Sequence, residues 1–183
     1  MSVSVPVAER VAFASVFEAL GRIVQSSHPQ LIPQALKLGV DFTKLNPAYP
    51  AGTWRHLTAL VAQASHPTVS APVAEYRLGQ QIIHEYGKTV MGRALMATLK
   101  VLGPRRCFSR VSRSFRTANN YMEDRVIEHA PNHFELWLNE VHVPYVDQGV
   151  MQAALEAIGA KHCSVEVVKR DADGTTYVCR WDP

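Results

Sequence analysis

The pattern of apolar and polar positions divides the chain into a helical part and a following part that is rich in strands. Apolar residues recur at helical spacing in four stretches near the start: 11–25, 30–38, 54–64 and 71–87. Pro- and Gly-containing segments separate these stretches, and Thr53 and Ser70 are N-cap candidates for the third and fourth. We therefore predict an N-terminal layer of helices, the first of which has the option of an extended start.

Two further helices are predicted on either side of Gly103-Pro104. Residues 89–102 are apolar nearly all round, which predicts a central buried helix. Gly103 suits the left-handed position past a helix end, and Pro104 suits the first position of the next helix. The helix predicted over 104–115 has two faces, which carry the following residues: Phe108, Val111 and Phe115 on one, and Arg106, Arg110 and Arg113 on the other.

Alternation with a period of two begins after residue 117. It predicts strands and one helix in the following order: strands 120–128 and 133–141, helix 146–158, and strands 162–170 and 175–181. A three-residue loop at 172–174, with Gly174 left-handed, places Cys179 opposite Val167 and away from Cys163. No disulfide between Cys163 and Cys179 is then expected.

The predicted fold class is α+β, with an N-terminal helical layer packed on a four-stranded antiparallel sheet of β-β-α-β-β order. A length of 183 residues favours one domain, 1–183, with a helical part at 1–116 and a ββαββ part at 117–183.

Bulk composition excludes several classes of protein. The chain is 47% apolar and 19% charged, and its net charge of +3 is too small to make the whole chain a nucleic-acid binder. The start of the chain lacks the features of a signal peptide, and no stretch approaches the ~20 apolar residues of a membrane span. The three Cys include no CxxC pair, so we expect reduced thiols and a cytoplasmic location.

Basic residues are concentrated in one segment. Residues 86–122 hold eight of the 19 Lys and Arg and no acidic residue. Five of the eight are Arg in a short run: Arg105, Arg106, Arg110, Arg113 and Arg116. A solvated helix face is the default interpretation of a charge run. The stripe formed by Arg106, Arg110 and Arg113, however, has no acidic residue at helical spacing to offset the repulsion between its charges. The alternative is a site for an anionic ligand or an acidic protein partner. Nucleic acid is not expected, because the Phe residues lie on the opposite, buried face.

Residues Asn119, Asn120 and Tyr121 follow the Arg run where the last helix passes into the first strand. Asn tolerates left-handed backbone and hydrogen-bonds nearby amides, so a turn and cap role is favoured. Contact with a ligand at the helix–strand junction is the alternative.

Motifs for covalent or metal chemistry are lacking. No Gly-x-Ser-x-Gly sequence or recognisable carboxylate pair occurs, and His129 and His133 are separated by a turn that contains Pro131. We predict no metal site and no catalytic residue. Cys107 is expected to be either a thiol activated by neighbouring Arg or a buried inert one.

Three strings resemble a family of unknown function that is abundant as paralogues in myxobacteria: LNPAYP, YGKTVMGRALMATLKVLGPRR and SFRTANNYMEDRV. The resemblance covers about residue 9 to the end, and GPRR and FRTANNY are its most specific parts. The family has no established activity, so it implies a fold and little chemistry.

The C-terminal half is also similar to vinyl-reductase-type domains and to haem nitric-oxide sensor domains. Those domains place helices over a four-stranded antiparallel sheet and bind ligands between the layers. The haem sensors carry Tyr-x-Ser-x-Arg, whereas residues 121–125 here place Glu123 at the Ser position. With no convincing proximal His either, we predict no cofactor, haem included.

These observations predict a non-catalytic regulatory or sensory binding module with a hydrophobic pocket between helices and sheet. The expected partners are a small-molecule or anionic ligand, an acidic protein and a second copy of the chain; no membrane partner is expected. A small enzyme that uses the same pocket and a dimeric structural subunit remain alternatives.

Overall fold

The computed structural model describes residues 5–108, 115–140 and 142–183, and it confirms the predicted α+β class. The helices are α1 (Ala14–Ser27), α2 (Ile32–Lys37), α3 (Ala51–Ser65), α4 (Ala71–Tyr86), α5 (Val90–Phe108) and α6 (Pro144–Ala157). The strands are β1 (Val11–Phe13), β2 (Ala48–Pro50), β3 (Asp124–Ala130), β4 (His133–Leu138), β5 (Ser164–Arg170) and β6 (Thr175–Arg180). Strands β3 to β6 form the predicted four-stranded antiparallel sheet with ββαββ order along the chain, and their spatial order is β3-β4-β6-β5.

A small two-stranded sheet ties the start of the chain to later segments. Strand β1 is the extended start of the first helical stretch, and it pairs with β2, which lies in the Pro- and Gly-containing segment before the third stretch. On its other side the Phe13 N–H donates to the Ala118 carbonyl oxygen at 2.8 Å, and Ala12 bridges Asn119. The segment that precedes β3 is therefore anchored to the N-terminal part of the chain.

The prediction of a central buried helix at 89–102 is wrong. In α5 the side chains of Val90, Met91 and Val101 are 75%, 63% and 85% exposed. Apolar residues occur on all sides of α5, but neighbouring elements cover only one side of the helix. Gly103 does adopt the predicted left-handed backbone, with a φ of 73°, and it interrupts α5. Among the described residues no helix is long and apolar enough to cross a membrane.

The last hairpin differs from the predicted register. Cys179 lies opposite Val165, and Tyr177 lies opposite Val167, with a bulge between Val167 and Lys169. Gly174 is not left-handed; Asp171 closes the loop by accepting hydrogen bonds at Oδ1 from the Asp173 and Gly174 N–H groups. The bulge takes up one residue, so the sheet face of the alternating residues is kept. Cys163 and Cys179 are both free thiols.

The first strand of the sheet is also shorter at its start than predicted. Strand β3 begins at Asp124 rather than at residue 120. The side chain of Asn119 instead accepts hydrogen bonds from the backbone N–H groups of Tyr121 and Met122. This local alternative to strand pairing delays the strand.

Helix α6 joins the two hydrophobic cores of the molecule. Its first turn, with Val146, belongs to a core formed by α1, α3 and α4, whereas Met151 and Leu155 belong to a core formed with the sheet. Helix α6 crosses α4 at two glycines, where an added Cβ at Gly79 would overlap the Val146 carbonyl oxygen. An added Cβ at Gly149 would overlap the Tyr76 carbonyl oxygen in the same way. The two helices are thus in backbone contact.

Gly149→Ala should destabilise the protein strongly, because its new methyl group meets helix backbone that cannot turn aside. We expect a loss of about 3 kcal/mol in the free energy of unfolding, measured by urea titration. Gly52→Ala is the matched control, since Gly52 lies in α3 and nothing lies within 4 Å of its added Cβ. Equal effects of the two substitutions would contradict the close crossing.

Candidate functional site

A cavity of about 220 Å³ lies between α4, α5 and α6, next to residues 115–122. Most of its walls are apolar side chains from these helices, among them Ile82, Leu95, Met96, Leu99, Val150, Met151 and Ala154. Helix α5 contributes one face to the cavity and turns the other to solvent. The described polar side chains that line it include those of Ser15, Tyr86, Thr117, Asn119, Tyr121, Glu140 and Asp147. The cavity is therefore mainly apolar. Tyr121, Glu140 and Asp147 lie together in its wall and form what we call its polar end.

Glu140 forms one half of that polar end, and its carboxylate is well partnered although it is only 1% exposed. The His142 backbone N–H donates to Oε1 at 2.6 Å. The Tyr121 hydroxyl donates to Oε2 at 3.5 Å, and the Arg55 Nη2 atom lies 3.8 Å from the same oxygen. A half-buried cation and two hydrogen-bond donors thus compensate the buried negative charge.

Asp147 forms the other half and lacks such compensation. Its Oδ2 atom is buried and accepts no hydrogen bond from the described residues. Burial, and after it the negative charge of Glu140, raise the pKa of Asp147 well above its ordinary value of 3.8. Compared with a surface aspartate, the neutral acid form of Asp147 is therefore favoured over the carboxylate.

Two tyrosines complete the surroundings of the acid pair. Burial and the nearby acids raise the pKa of both Tyr121 and Tyr177, so both keep their protons. The Tyr177 hydroxyl donates to the Pro144 carbonyl oxygen at 3.0 Å, at the first residue of α6. These phenols hold the polar end in place as hydrogen-bond donors.

The predicted Arg stripe is placed in part. The Arg105 guanidinium pairs with Glu128 of β3, with Nη2 and Oε1 at 2.8 Å, and its side chain is 60% exposed. Arg106 and Arg116 lie on the surface. Arg110 and Arg113 lie outside the described residues. Arg105 therefore connects the segment after Gly103 to the sheet while it remains open to solvent.

Asn119 and Asn120 act as backbone ties. The Asn120 Oδ1 atom accepts a hydrogen bond from the Val11 N–H at 2.9 Å, and its Nδ2 donates to the Glu9 carbonyl oxygen at 3.0 Å. Asn119 holds the turn into β3 and also lines the cavity. Tyr121, the third predicted residue, lines the cavity and reaches Glu140.

The remaining candidates are Cys107, which lies in the cavity wall, and the two His of the β3–β4 hairpin. Cys107 lines the cavity, and its thiol donates to the Leu99 carbonyl oxygen at 3.5 Å. The rings of His129 and His133 lie 4.8 Å apart on the β3–β4 hairpin. Within residues 5–108, 115–140 and 142–183, no group of three or more His, Cys, Asp or Glu side chains could hold a metal ion.

Sequence reasoning missed Asp147, Glu140 and Arg55. A signal existed for Asp147, because it stands three and four residues before Val150 and Met151 on the apolar arc of its helix. A charged residue at such a position is buried with a partner or serves a site. Glu140 and Arg55 are far apart in the sequence and show no comparable pattern.

Solved structures of H-NOX proteins share this fold. A mutant H-NOX protein from K. algicida, solved in the Fe(II) unliganded state, matches with a TM-score of 0.64 and 14% identity. The match covers 93% of this chain and 97% of the K. algicida chain. The S. oneidensis protein, solved in the Fe(II)NO ligation state, has a TM-score of 0.66 and 10% identity, with coverages of 93% and 99%. A mutant H-NOX protein from T. tengcongensis has a TM-score of 0.59 and 11% identity, with coverages of 93% and 97%.

The described cavity lining does not fit a haem. An axial ligand to haem iron is most often a His, and the propionates need cations or strong donors. The described residues of the lining include no His, Lys or Arg. The thiol of Cys107 and the hydroxyl of Tyr121 already donate to protein oxygens, and Glu140 would repel a propionate.

Asp147→Asn should become increasingly stabilising relative to the parent protein as the pH rises. The raised pKa of Asp147 means that its contribution to folding is complete below about pH 3.8 and is lost as the pH rises toward the native pKa. Asn does not ionise, so its advantage in unfolding free energy should grow by about 1.4 kcal/mol per pH unit in that window. Urea unfolding at about pH 4.5, 5.5 and 6.5 measures it.

The matched control is Asp173→Asn, in the exposed loop between β5 and β6. The growth with pH of the difference in unfolding free energy is expected of Asp147→Asn and not of this control. An Asp147→Asn difference that is equally flat would show that Asp147 ionises normally in the folded protein.

The family comparison covers nearly the whole chain, whereas no curated protein matches it. Residues 7–182 match the family model described as "Protein of unknown function (DUF2378)". This agrees with the resemblance carried by GPRR and FRTANNY, and the likeness to haem-sensor domains is confirmed at the level of the fold. The chain therefore belongs to the DUF2378 family of unknown function.

Proposed function

We propose that this protein is a regulatory or sensory module that binds a small molecule in the cavity between α4, α5 and α6. The observation that carries the proposal is a largely apolar chamber of about 220 Å³ with a few polar groups at one end. Ligand pockets in proteins have this composition. The H-NOX-like fold supports it, since that fold belongs to proteins described with bound iron and NO. A cytoplasmic location suits its free thiols.

Helix α5 is the part of the wall that could respond to a ligand. It leaves Val90 and Val101 largely exposed and touches the cavity through Leu95, Met96 and Leu99. A wall with few buried apolar contacts moves at low free-energy cost. Occupancy of the cavity can thereby be communicated to the Arg-containing segment that follows Gly103.

Filling the cavity should abolish binding without unfolding the protein. Ala154 lines the cavity, so Ala154→Phe should reduce the uptake of the apolar dye Nile red at least about tenfold, measured by fluorescence titration. Ala157→Phe is the matched control, because Ala157 is exposed on the same helix and should leave binding unchanged. Native mass spectrometry of the purified protein should show a bound small molecule in the parent and not in Ala154→Phe. Equal dye uptake by the two variants would contradict a binding role for this cavity.

The Arg-rich segment is proposed as the contact for an anionic ligand or acidic protein partner. Support comes from the absence of acid in residues 86–122 and from the surface positions of Arg105, Arg106 and Arg116. Arg105 stays 60% exposed beside Glu128, so its pairing leaves the guanidinium open to a partner. The exposed apolar side chains of α5 offer the neighbouring surface on which a homodimer would form.

The triple variant Arg106→Glu, Arg110→Glu and Arg113→Glu should lose binding to a poly-glutamate peptide at low salt. We expect at least about a tenfold weaker affinity, since each Arg loses an attraction and gains a repulsion. Fluorescence anisotropy measures it, and affinity should fall as salt screens the charges. The control exchanges Lys37, Lys44 and Lys161 for Glu, which changes net charge equally at scattered exposed sites. An equal loss of affinity in the control would show that the peptide responds to the net charge of the protein and not to the Arg-rich segment.

An enzyme that uses the same cavity is the second candidate. Asp147 favours it, because a buried carboxyl group with a strongly raised pKa beside a cavity is a common feature of catalytic centres. The described lining offers Glu140 as a second carboxyl but no His. Chemical conversion of a co-purified molecule on incubation, lost in Asp147→Asn, would favour the enzyme over the sensor.

A further inference from the structure

The polar end of the cavity restricts the chemistry of the molecule that fits there. Glu140 is satisfied by Arg55, Tyr121 and the His142 backbone, so it needs no further partner. Asp147 lines the cavity and leaves Oδ2 buried without a hydrogen bond among the described residues. A buried polar group without a partner is a rare feature that calls for a ligand, a water or a function.

We propose that Asp147, as a neutral carboxylic acid, donates a hydrogen bond to a carbonyl or hydroxyl oxygen of an uncharged, mainly apolar ligand. This inference rests on the proposed function of the same cavity. The two carboxyl oxygens exchange by rotation about Cβ–Cγ, so the oxygen that bears the proton can turn to the cavity. The rest of the chamber then receives the apolar body of the molecule.

An anionic ligand is disfavoured by the charge already present. A carboxylate or phosphate placed beside Asp147 would meet the charge of Glu140 in a region of low dielectric constant. Arg55 lies 3.8 Å from Glu140 and is the described cation at this end, and it is already shared with that acid. An anion would therefore lose its hydration without gaining a cation of its own.

A cationic ligand is disfavoured for two reasons. An amine would have to remove the proton of Asp147, which the burial of that residue and the charge of Glu140 both oppose. It would also lose its hydration in an apolar chamber, and a buried ion pair often fails to repay that loss. An uncharged ligand with one acceptor oxygen incurs neither cost and satisfies the free donor.

The dependence on pH follows from the groups that face Asp147. Among the described residues, Glu140 after β4 acts on Asp147 directly, Tyr121 before β3 and Tyr177 on β6 lie within range of its charge, and Arg55 on α3 pairs with Glu140. Both tyrosines keep their protons, and an Arg side chain keeps its charge, so Asp147 is the group whose titration changes the donor. Affinity for a ketone should be constant while Asp147 is protonated and should fall tenfold per pH unit above its pKa.

The test uses three probes of similar size on the full chain: 2-octanone, octylamine and octanoate, with Nile red uptake as the measure of an open cavity. Isothermal titration should give a dissociation constant for 2-octanone at least about tenfold lower than those for the amine and the acid anion.

Asp147→Leu, which removes the donor, should raise the dissociation constant of 2-octanone about tenfold. Asp147→Asn, which keeps an N–H donor of the same shape, should leave that constant within about threefold of the parent value. Asp173→Leu, in the exposed loop, is the control and should change nothing.

The outcomes separate this inference from the proposed function. If Nile red and all three probes fail to bind the parent protein, both are overturned. If 2-octanone binds the parent and Asp147→Leu equally, the cavity binds ligands and the role of Asp147 is wrong. If octylamine binds most tightly, with affinity that rises from about pH 6 to about pH 9, Asp147 acts as a carboxylate and the uncharged class is wrong.

Discussion

The backbone contact between α4 and α6 is the constraint on which the rest of the structure depends. Gly79 and Gly149 leave no room for a side chain at the crossing, so the two helices approach more closely than side-chain packing would allow. Because α6 contributes Val146 to one core and Leu155 to the other, this contact fixes the helical layer relative to the sheet. Helix α5 is not drawn into the same contact. The space that remains between α5 and the crossed pair is the cavity.

The polar end of the cavity places two carboxyl groups in the interior, which does not favour the stability of the fold. Buried acids are tolerated when partners compensate them, as Arg55, Tyr121 and the His142 backbone do for Glu140. Asp147 lacks that compensation and sits on the otherwise apolar face of α6. A well-packed apolar side chain would serve folding better at that position. Local conflict of this kind concentrates at functional sites, and it directs attention to this end of the chamber.

The likeness to H-NOX proteins shows how far a shared backbone leaves chemistry open. Identities of 10% to 14% accompany TM-scores of 0.59 to 0.66, so the chain paths are alike although most side chains differ. The described lining of the cavity holds acids and phenols, whereas a haem site commonly offers an imidazole for the iron and cations for the propionates. A shared fold therefore does not fix the ligand, because function belongs to the side chains of the site.

The sequence by itself determined the β-β-α-β-β order of the C-terminal part, the α+β class and the left-handed break at Gly103, because periodicity and backbone preference are local properties. It also indicated that Asn119 shapes a turn, since its side chain bonds the N–H groups of Tyr121 and Met122, whereas only the tertiary structure joined Asn120 to Val11 and Glu9. Tertiary structure alone decided that α5 is exposed, that the last hairpin is bulged, and that Arg55, Glu140 and Asp147 meet. An all-round apolar helix shows no preferred face until its neighbours are placed, and residues distant in sequence carry no joint pattern. The site therefore emerged from the packing of α6 against α4, which no local signal specifies.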